Sequence, residues 1–514
     1  MRWLPLLLMC ACAALAPARA LLTQNVLLVI VDDLGADSLA LLNDHPGARF
    51  APTPTLDALA ARGVVFRNAF AHPTCTPTRA SILTGRHPFR TGMGTAISNA
   101  QSGPPLRAEE LTLPEILTAN PALGVTHASV GKWHLAYDFD SPNTVGGWSH
   151  YAGNILGAIP NYSNWGRTEN GVTALTTDYA TTRQINDGIA WLSGLPPGQR
   201  WFLWVACNAP HSPFHKPPNA LHDYDDLPAS PATPARPYYE AMLQSLDTEL
   251  GRLLAGVDTA TTTVVVTGDN GTPGSVIQPP FDSTRAKGTP YQGGCRVPLL
   301  VAGPDVEVPG RSVTNLVHAV DLWATLLELL GADLAAVTPR DRAIDSRSLL
   351  PLLQNQPLVT AVPEILVEQF GDNLSATQAA RSAQDAQYKL IRFDAGPEEL
   401  YHLALDPLEN TNLLSRALTV DEQRAHDRLA ARLEDWTEPA RPRLDQAATS
   451  GARFTLGLTP FFDHTYALER APDPDGPWTE PAGVLRQLSQ DRLQFVDLRP
   501  PSTGAVYRVR AEKP

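Results

Sequence analysis

The feature that most constrains the fold is a recurring unit, a short apolar, β-rich run that ends in a polar cluster. Asn25 to Val31 (NVLLVIV) leads into Asp32-Asp33, and Trp201 to Ala206 (WFLWVA) precedes Asn208 and His211. Thr262 to Thr267 (TTVVVT) ends at Gly268-Asp269-Asn270-Gly271, and Val297 to Ala302 is a further run. A strand with one wet face alternates in polarity, so unbroken runs predict strands covered on both faces, as in a parallel or mixed α/β sheet. Segments at helical spacing lie between them: Thr55 to Arg62, closed by Gly63, and Val320 to Leu330, closed by Gly331. The expected fold is α/β, a large mixed β-sheet sandwiched by helices. Ligands of such sheets bind beyond the carboxyl ends of the strands, and three of these runs place acidic, amide or imidazole groups there.

The pattern changes after about residue 345. Short strands are expected at Glu364 to Gln369, Tyr388 to Arg392 and Glu399 to Tyr401, with an amphipathic helix over Val420 to Trp436. This divides the chain into a catalytic domain over 21–345 and an α+β C-terminal subdomain over 346–440. A polar, proline-bearing linker from Glu438 to Ala452 follows. A small all-β, sandwich-like module then occupies 453–514, with a turn at Asp473 to Pro477 and a last strand over Ala505 to Arg510.

At the other end, Arg2, the apolar run Leu4 to Leu15 and Ala18-Arg19-Ala20 read as a cleavable signal peptide over 1–20. The run is too short to span a bilayer, so an exported, periplasmic or extracellular protein without a membrane span is expected. Beyond that segment only Cys75, Cys207 and Cys295 remain, too few for a disulfide scaffold, so stability must come from a core. The formal charge of −13 argues against nucleic acid as a partner. An anionic substrate would have to meet a local cluster of cations.

The most specific stretch runs from Cys75 to Arg86 (CTPTRASILTGR). Pro77 suits the first turn of a helix reaching about Thr84, which places Cys75 at the helix N-terminus, where unpaired N–H groups favour an anion. Arg79, one turn in, can reach the same place. Asp32, Asp33, Asp269 and Asn270 form an all-oxygen set suited to a hard cation such as Ca2+ or Mg2+. A thiolate is a soft ligand and a poor partner for that ion, a conflict that disappears if position 75 presents oxygen instead of sulfur.

These residues resemble the type I sulfatases of the alkaline-phosphatase superfamily. The signature C-x-P-(S/T/A)-R, an apolar pair and T-G matches Cys75 to Gly85, with Thr78 where Ser is commoner. The resemblance covers roughly residues 24 to 440 and implies that a formylglycine-generating enzyme converts Cys75 to formylglycine, whose hydrate is the nucleophile. It further implies metal ligation by Asp32, Asp33, Asp269, Asn270 and the modified Cys75. Gly131 to Leu135 (GKWHL) resembles the segment that sets Lys132 and His134 beside the formylglycine. Ala209 to Phe214 (APHSPF) resembles the segment bearing a substrate-side histidine, His211, and Lys287 to Gly294 (KGTPYQGG) the segment whose lysine meets the sulfate. Tyr388-Lys389-Leu390 and Glu399-Leu400-Tyr401 resemble the family's C-terminal subdomain.

The implied chemistry has Arg79, Lys132, Lys287 and the metal facing the sulfate oxygens, His211 as acid for the departing alcohol, and His134 as base for release of sulfate. His72 and His87 are expected to support the site residues from behind or to be structural, and Cys207 and Cys295 to be buried fillers. The nearest rival is a phosphonate monoester or phosphodiester hydrolase on the same fold. From another class comes an inactive exported carbohydrate-binding protein acting through its β-module. A zinc phosphatase fits poorly, because the set lacks several histidine ligands. Expected substrates are sulfated carbohydrates ahead of aryl sulfates. The loops around Asn143 to Asn170 and Pro210 to Pro237 would set specificity, with Trp148, Tyr151, Tyr162 and Trp165 as candidate sugar platforms.

Overall fold

The computed structural model describes residues 21–512 apart from 99–102, 230–232, 359–363, 372–373, 375–377, 437–443, 451–452, 459–464, 475, 490–491 and 502–504. The segment read as a signal peptide, 1–20, lies outside the described residues.

The apolar runs form the middle of a ten-stranded mixed sheet. Five neighbouring strands are parallel, in the order Thr262–Gly268, Asn25–Val31, Arg200–Cys207, Val125–Lys132 and His150–Asn154. Leu299–Ala302 joins antiparallel beside Thr262–Gly268, followed by Val64–Phe70 and the edge strand Arg311–His318. The other edge is the antiparallel pair Trp165–Glu169 and Val172–Thr176.

Both faces of this sheet are covered, which is why the runs carry no polar alternation. One face packs Val26, Leu28, Ile30 and Trp204 under Ile82, Leu83, Trp323 and Leu327. The opposite face packs Leu27, Val29, Leu203 and Val205 under Leu243, Leu246 and Leu250 of the helix Arg236–Leu254 and Ile185 of the helix Ala180–Ser193. The expected helices appear at Pro54–Ala61 and Leu322–Leu329.

The smaller unit is a four-stranded antiparallel sheet of Ile365–Gln369, Ala380–Gln384, Tyr388–Phe393 and Glu399–His402. The helix Val420–Asp435 covers it, burying Leu429 and Leu433 against Leu366, Leu390 and Leu400. Thr419 and Glu422 close its N-terminus in a capping box.

Beyond it lie an antiparallel sheet, Leu444–Ser450, Arg453–Leu458, Arg492–Asp497 and Leu485–Ser489, and a pair, Thr465–Ala471 with Val506–Glu512. Leu456, Leu458 and Phe495 of the first pack against Tyr466 and Leu468 of the second. The strand Leu444–Ser450 falls inside the stretch read as a linker, so this β-sheet begins ahead of residue 453. The segment LDQAATS lacks a β-branched or aromatic run, which hid it, because strand order here comes from pairing with Arg453–Leu458. Among the described residues no helix is long and apolar enough to cross a membrane.

Candidate active site

The site sits at the carboxyl ends of the parallel strands. Val31 stands beside both Cys207 and Gly268 in the sheet register, so Asp32-Asp33 and Asp269-Asn270 emerge side by side although 237 residues separate Asp33 from Asn270. Asp33 turns out of its strand through a left-handed backbone (φ 65°) and accepts a hydrogen bond from Asn270 Nδ2 at 2.8 Å. Its own N–H donates to Asp269 Oδ1 at 3.2 Å.

Cys75 is the first residue of the helix Cys75–Thr84, which ends on Gly85 in the left-handed region. Helix and signature therefore coincide, and Cys75 points into the acidic set. Ligand atoms of Asp32, Asp33, Cys75 and Asp269 all lie within 4.8 Å of one another. Burial pushes the Cys75 thiol up to about 12, despite Lys132 and Lys287 nearby, so the sulfur is a neutral thiol at ordinary pH. A neutral thiol is neither an active nucleophile nor a ligand for a hard cation.

Three cations complete the cluster. Lys132 Nζ lies 2.6 Å from Asp32 Oδ2, Lys287 Nζ pairs with Asp33 Oδ1, and Arg79 Nη2 lies 2.7 Å from Asp269 Oδ2 and 3.9 Å from Asp32 Oδ1. Arg79 is fully buried and also donates to the Lys132 carbonyl at 3.0 Å, so its guanidinium is directed at Asp269 and the chain beneath it. Burial alone would raise the Asp33 carboxyl, but Lys287, His211 and Lys132 hold it below the usual carboxylate range. Asp32 is raised instead, because Lys132 only partly offsets its burial.

Two oxygens show where a cation fits. Asp32 Oδ1 and Asn270 Oδ1 are buried without a hydrogen-bond partner; Asp32 lies in the close group with Asp33 and Asp269, and Asn270 is tied to Asp33 through Nδ2. A buried acceptor left in that state is costly unless something electropositive meets it. An all-oxygen donor set with two orphaned acceptors matches Ca2+ or Mg2+, and nothing in it favours a softer metal.

The histidines hold distinct positions. Gly131 has φ 94°, and a Cβ there would lie 2.1 Å from the Ala206 carbonyl oxygen, so only glycine lets the chain turn to seat Lys132 and His134. His134 Nε2 donates to the Ile97 carbonyl at 2.7 Å, because a carbonyl can only accept. That assigns the lone pair to Nδ1, which is buried without a partner. Burial, with Lys132 adding to it, holds this imidazole well below its ordinary value, so it is neutral, with its lone pair on Nδ1. His211 is partly exposed; its Nδ1 donates to the Ser212 carbonyl at 2.7 Å, leaving Nε2 facing Asp33 Oδ2 at 3.8 Å.

The aromatic platforms expected at Trp148, Tyr151, Tyr162 and Trp165 are not there. All four are at most 2% exposed, and the stretch holding them contains the strands His150–Asn154 and Trp165–Glu169. Trp148 packs on Phe202 and Trp204, Tyr151 donates to the Gly131 carbonyl, and Trp165 donates to the Asp178 carbonyl. Tyr162 donates to the His211 carbonyl at 2.7 Å and so supports the site from beneath. Sequence reading missed this role, since nothing local links positions 49 residues apart.

His72, His87 and His318 form a second close group of nitrogen ligands. Here Nδ1 of His72 accepts from the Glu368 N–H and Nδ1 of His318 from the Val320 N–H, so both rings carry their proton on Nε2. A metal would need those Nε2 lone pairs, so the group does not suit an ion and is structural, one of the two roles expected for His72 and His87. Cys207 and Cys295 are fully buried, free thiols, Cys207 among apolar neighbours and Cys295 donating to the Tyr291 carbonyl at 3.0 Å.

The arrangement matches known proteins along most of its length. The family model described as Sulfatase matches residues 24–332, and one described as "N-sulphoglucosamine sulphohydrolase, C-terminal" matches residues 286–438. N-acetylgalactosamine-6-sulfatase of Canis lupus familiaris is 30% identical over 386 residues, covering 68% of this chain and 69% of its own. The crystal structure of Ps i-CgsB superposes with a TM-score of 0.68 at 22% identity, covering 81% of this chain and 93% of that one. The structure of BT4656 in complex with its substrate D-glucosamine-2-N,6-O-disulfate gives a TM-score of 0.63 at 19% identity, with coverages of 80% and 97%. At these identities the two structures speak to the fold, which is the alkaline-phosphatase-like arrangement expected from the sequence.

Proposed function

The chain belongs to the sulfatase family of sulfuric ester hydrolases, and we propose that it removes sulfate from carbohydrates with a nucleophile made by oxidising Cys75 to formylglycine. The observation that carries the proposal is the convergence of Cys75 with Asp32, Asp33 and Asp269 at a helix N-terminus, around two unsatisfied oxygens. Asp32, Asp33, Asp269 and Asn270 would hold a calcium ion, which supplies positive charge toward the ester oxygens. The formylglycine hydrate supplies an oxygen nucleophile and, through its second hydroxyl, a way to release sulfate that a plain alcohol lacks.

The remaining work falls to this chain's own side chains. Three cations already face the three carboxylates, so a bound dication leaves the pocket with excess positive charge, the complement of an anionic ester. Lys132 and Lys287 are the cations able to turn toward sulfate oxygens, since their flexible stems end in rotatable donors. Arg79 keeps Asp269 in place. His211, tethered through Nδ1, offers Nε2 as the site from which a proton reaches the departing alcohol. His134 accepts a proton at Nδ1 during sulfate release.

Carbohydrate substrates are supported by the names of the similar proteins, which speak of an N-acetylgalactosamine 6-sulfate enzyme and of a disulfated glucosamine. Because Cys75 is only 2% exposed, a formylglycine-generating enzyme must reach it before the chain folds. That timing agrees with export as an unfolded chain behind the 1–20 leader. The test is mass spectrometry of the tryptic peptide containing Cys75, from protein made together with the modifying enzyme, paired with sulfate-release assays on sulfated sugars. An unmodified cysteine in protein that still turns over would end the proposal. Faster cleavage of aryl phosphonates or phosphodiesters than of any sulfate ester would favour the rival reading.

A further inference from the structure

The loop that carries Lys287 is gripped at both ends by one residue from outside the main sheet, Glu409. At the near end, the Arg285 guanidinium donates to the carbonyls of Leu408, at 3.2 Å, and of Glu409. At the far end, the Gln292 N–H donates to Glu409 Oε2 at 2.7 Å. The other carboxylate oxygen, Oε1, lies 2.8 Å from Lys389 Nζ, an ion pair with side chains 1% exposed or less. Lys389 also donates to the Pro290 carbonyl, inside the same loop. Glu409 adopts a left-handed backbone (φ 59°), unusual for a residue that is not glycine and tolerated where the surroundings over-determine it.

A buried ion pair is poor evidence of added stability, because a well-packed apolar pair of similar volume commonly serves as well. This pair is different in what it touches. Its members bind backbone at Pro290 and Gln292, while Glu409's carbonyl holds Arg285, so the charges fix the loop's course and not merely each other. Within that course Lys287 has a backbone bond to the Thr272 carbonyl at 3.1 Å, and Gly288 one to the Pro73 carbonyl at 2.9 Å. Its ammonium sits on a flexible four-carbon stem, so the loop's path decides where the charge can go. Displacement of a positioning group by about 1 Å is enough to cost a large factor in rate.

We propose that Glu409, with Lys389 as its counter-charge, is a positioning residue that sets the Lys287 loop over the sulfate pocket. The C-terminal subdomain thereby takes part in catalysis without touching substrate. This rests on the role proposed for Lys287, and the test separates the two.

The full-length, formylglycine-bearing enzyme is compared with Glu409→Gln, Lys389→Met and the double variant, which leaves no unpaired buried charge and so guards against simple unfolding. Each is also made in a Lys287→Ala background. Leu429→Ala, a change in the subdomain's apolar core, serves as a control for destabilisation alone. Readouts are kcat/KM on an aryl sulfate, the inhibition constant for inorganic sulfate, and the urea midpoint. The double variant should lose about tenfold or more in kcat/KM and weaken sulfate inhibition in step. In the Lys287→Ala background it should change either quantity by no more than about twofold, since the group it positions is gone. Leu429→Ala should lower the urea midpoint and leave kcat/KM of the folded fraction unchanged. Losses that multiply with Lys287→Ala, or an unimpaired double variant, overturn the positioning role. A Lys287→Ala enzyme with wild-type kcat/KM and sulfate inhibition instead removes the role of Lys287 itself.

Discussion

At position 75 the side chain found in the sequence is the wrong one for its surroundings. The thiol is buried, neutral and set among carboxylates that prefer a hard cation, whereas an oxygen there would suit both the helix N-terminus and the ion. A Cys75→Ser enzyme tests this. It has one hydroxyl to take sulfate from an ester but no second hydroxyl to expel it, so it should react once and stall. The expected record is a burst of alcohol equal to the enzyme present, a covalent sulfate on the tryptic peptide, and steady turnover at least about 100-fold below that of the modified enzyme. Continued multiple turnover would sink the nucleophile assignment. This part of the site was legible because it is local: helix start, proline and arginine lie within five positions. The orientation of His134 was not legible, since the Ile97 carbonyl that assigns its proton is 37 residues away. The four aromatics were misread for the same reason; in a stretch rich in glycine and asparagine they look exposed, and their burial comes from strands distant in sequence.

At the scale of elements, burial on both sheet faces made four strands readable, Asn25–Val31, Arg200–Cys207, Thr262–Gly268 and Leu299–Ala302, because apolar runs need no knowledge of partners. The strand Leu444–Ser450 shows the limit, with pairing rather than composition placing it in a sheet. Contacts between elements carry their own consequences. His72 precedes the signature helix, His87 follows it, and His318 ends the edge strand Arg311–His318; their ring centroids lie 4.6 to 5.4 Å apart. Burial holds His87 down to about 4, with Asp345 opposing and Arg90 reinforcing, and burial also lowers His72 and His318. In the unfolded chain each would titrate near 6.5. Between those values the unfolded state binds more protons than the folded one, so stability falls as pH drops from about 6.5 toward 4 and is fully present above that window. For His87 alone the loss amounts to about 3 kcal/mol across the window. Urea unfolding at several pH values should show this decline, and His87→Gln should flatten part of it. An unchanged slope in that variant would mean the histidine is protonated in the folded state.

Over the whole molecule, the sheet brings together carboxylates from chain segments more than 200 residues apart, in a volume where three cations, Lys132, Lys287 and Arg79, face three carboxylates and Asp32 is still raised by burial. Folding therefore creates a demand for cation that the unfolded chain, with its acids dispersed in water, does not have. An ion that binds only the folded state stabilises it by an amount set by its concentration over Kd, about 2.7 kcal/mol at a hundredfold excess. Equilibrating the enzyme with a calcium-selective chelator should lower Tm by several degrees, and adding back Ca2+ should restore it in a concentration-dependent way. Mg2+ should restore less, since it demands a tighter octahedron than carboxylates fixed by two strand ends can offer. The carboxylates alone should suffice for part of this response, so a Cys75→Ala protein should keep a reduced calcium-dependent shift, whereas Asp269→Ala should abolish it and leave Arg79 without its partner. A Tm indifferent to both chelator and Ca2+ would mean that Lys132, Lys287 and Arg79 neutralise the cluster unaided, and the pocket would then lack the excess positive charge that the proposed binding of a sulfate ester requires.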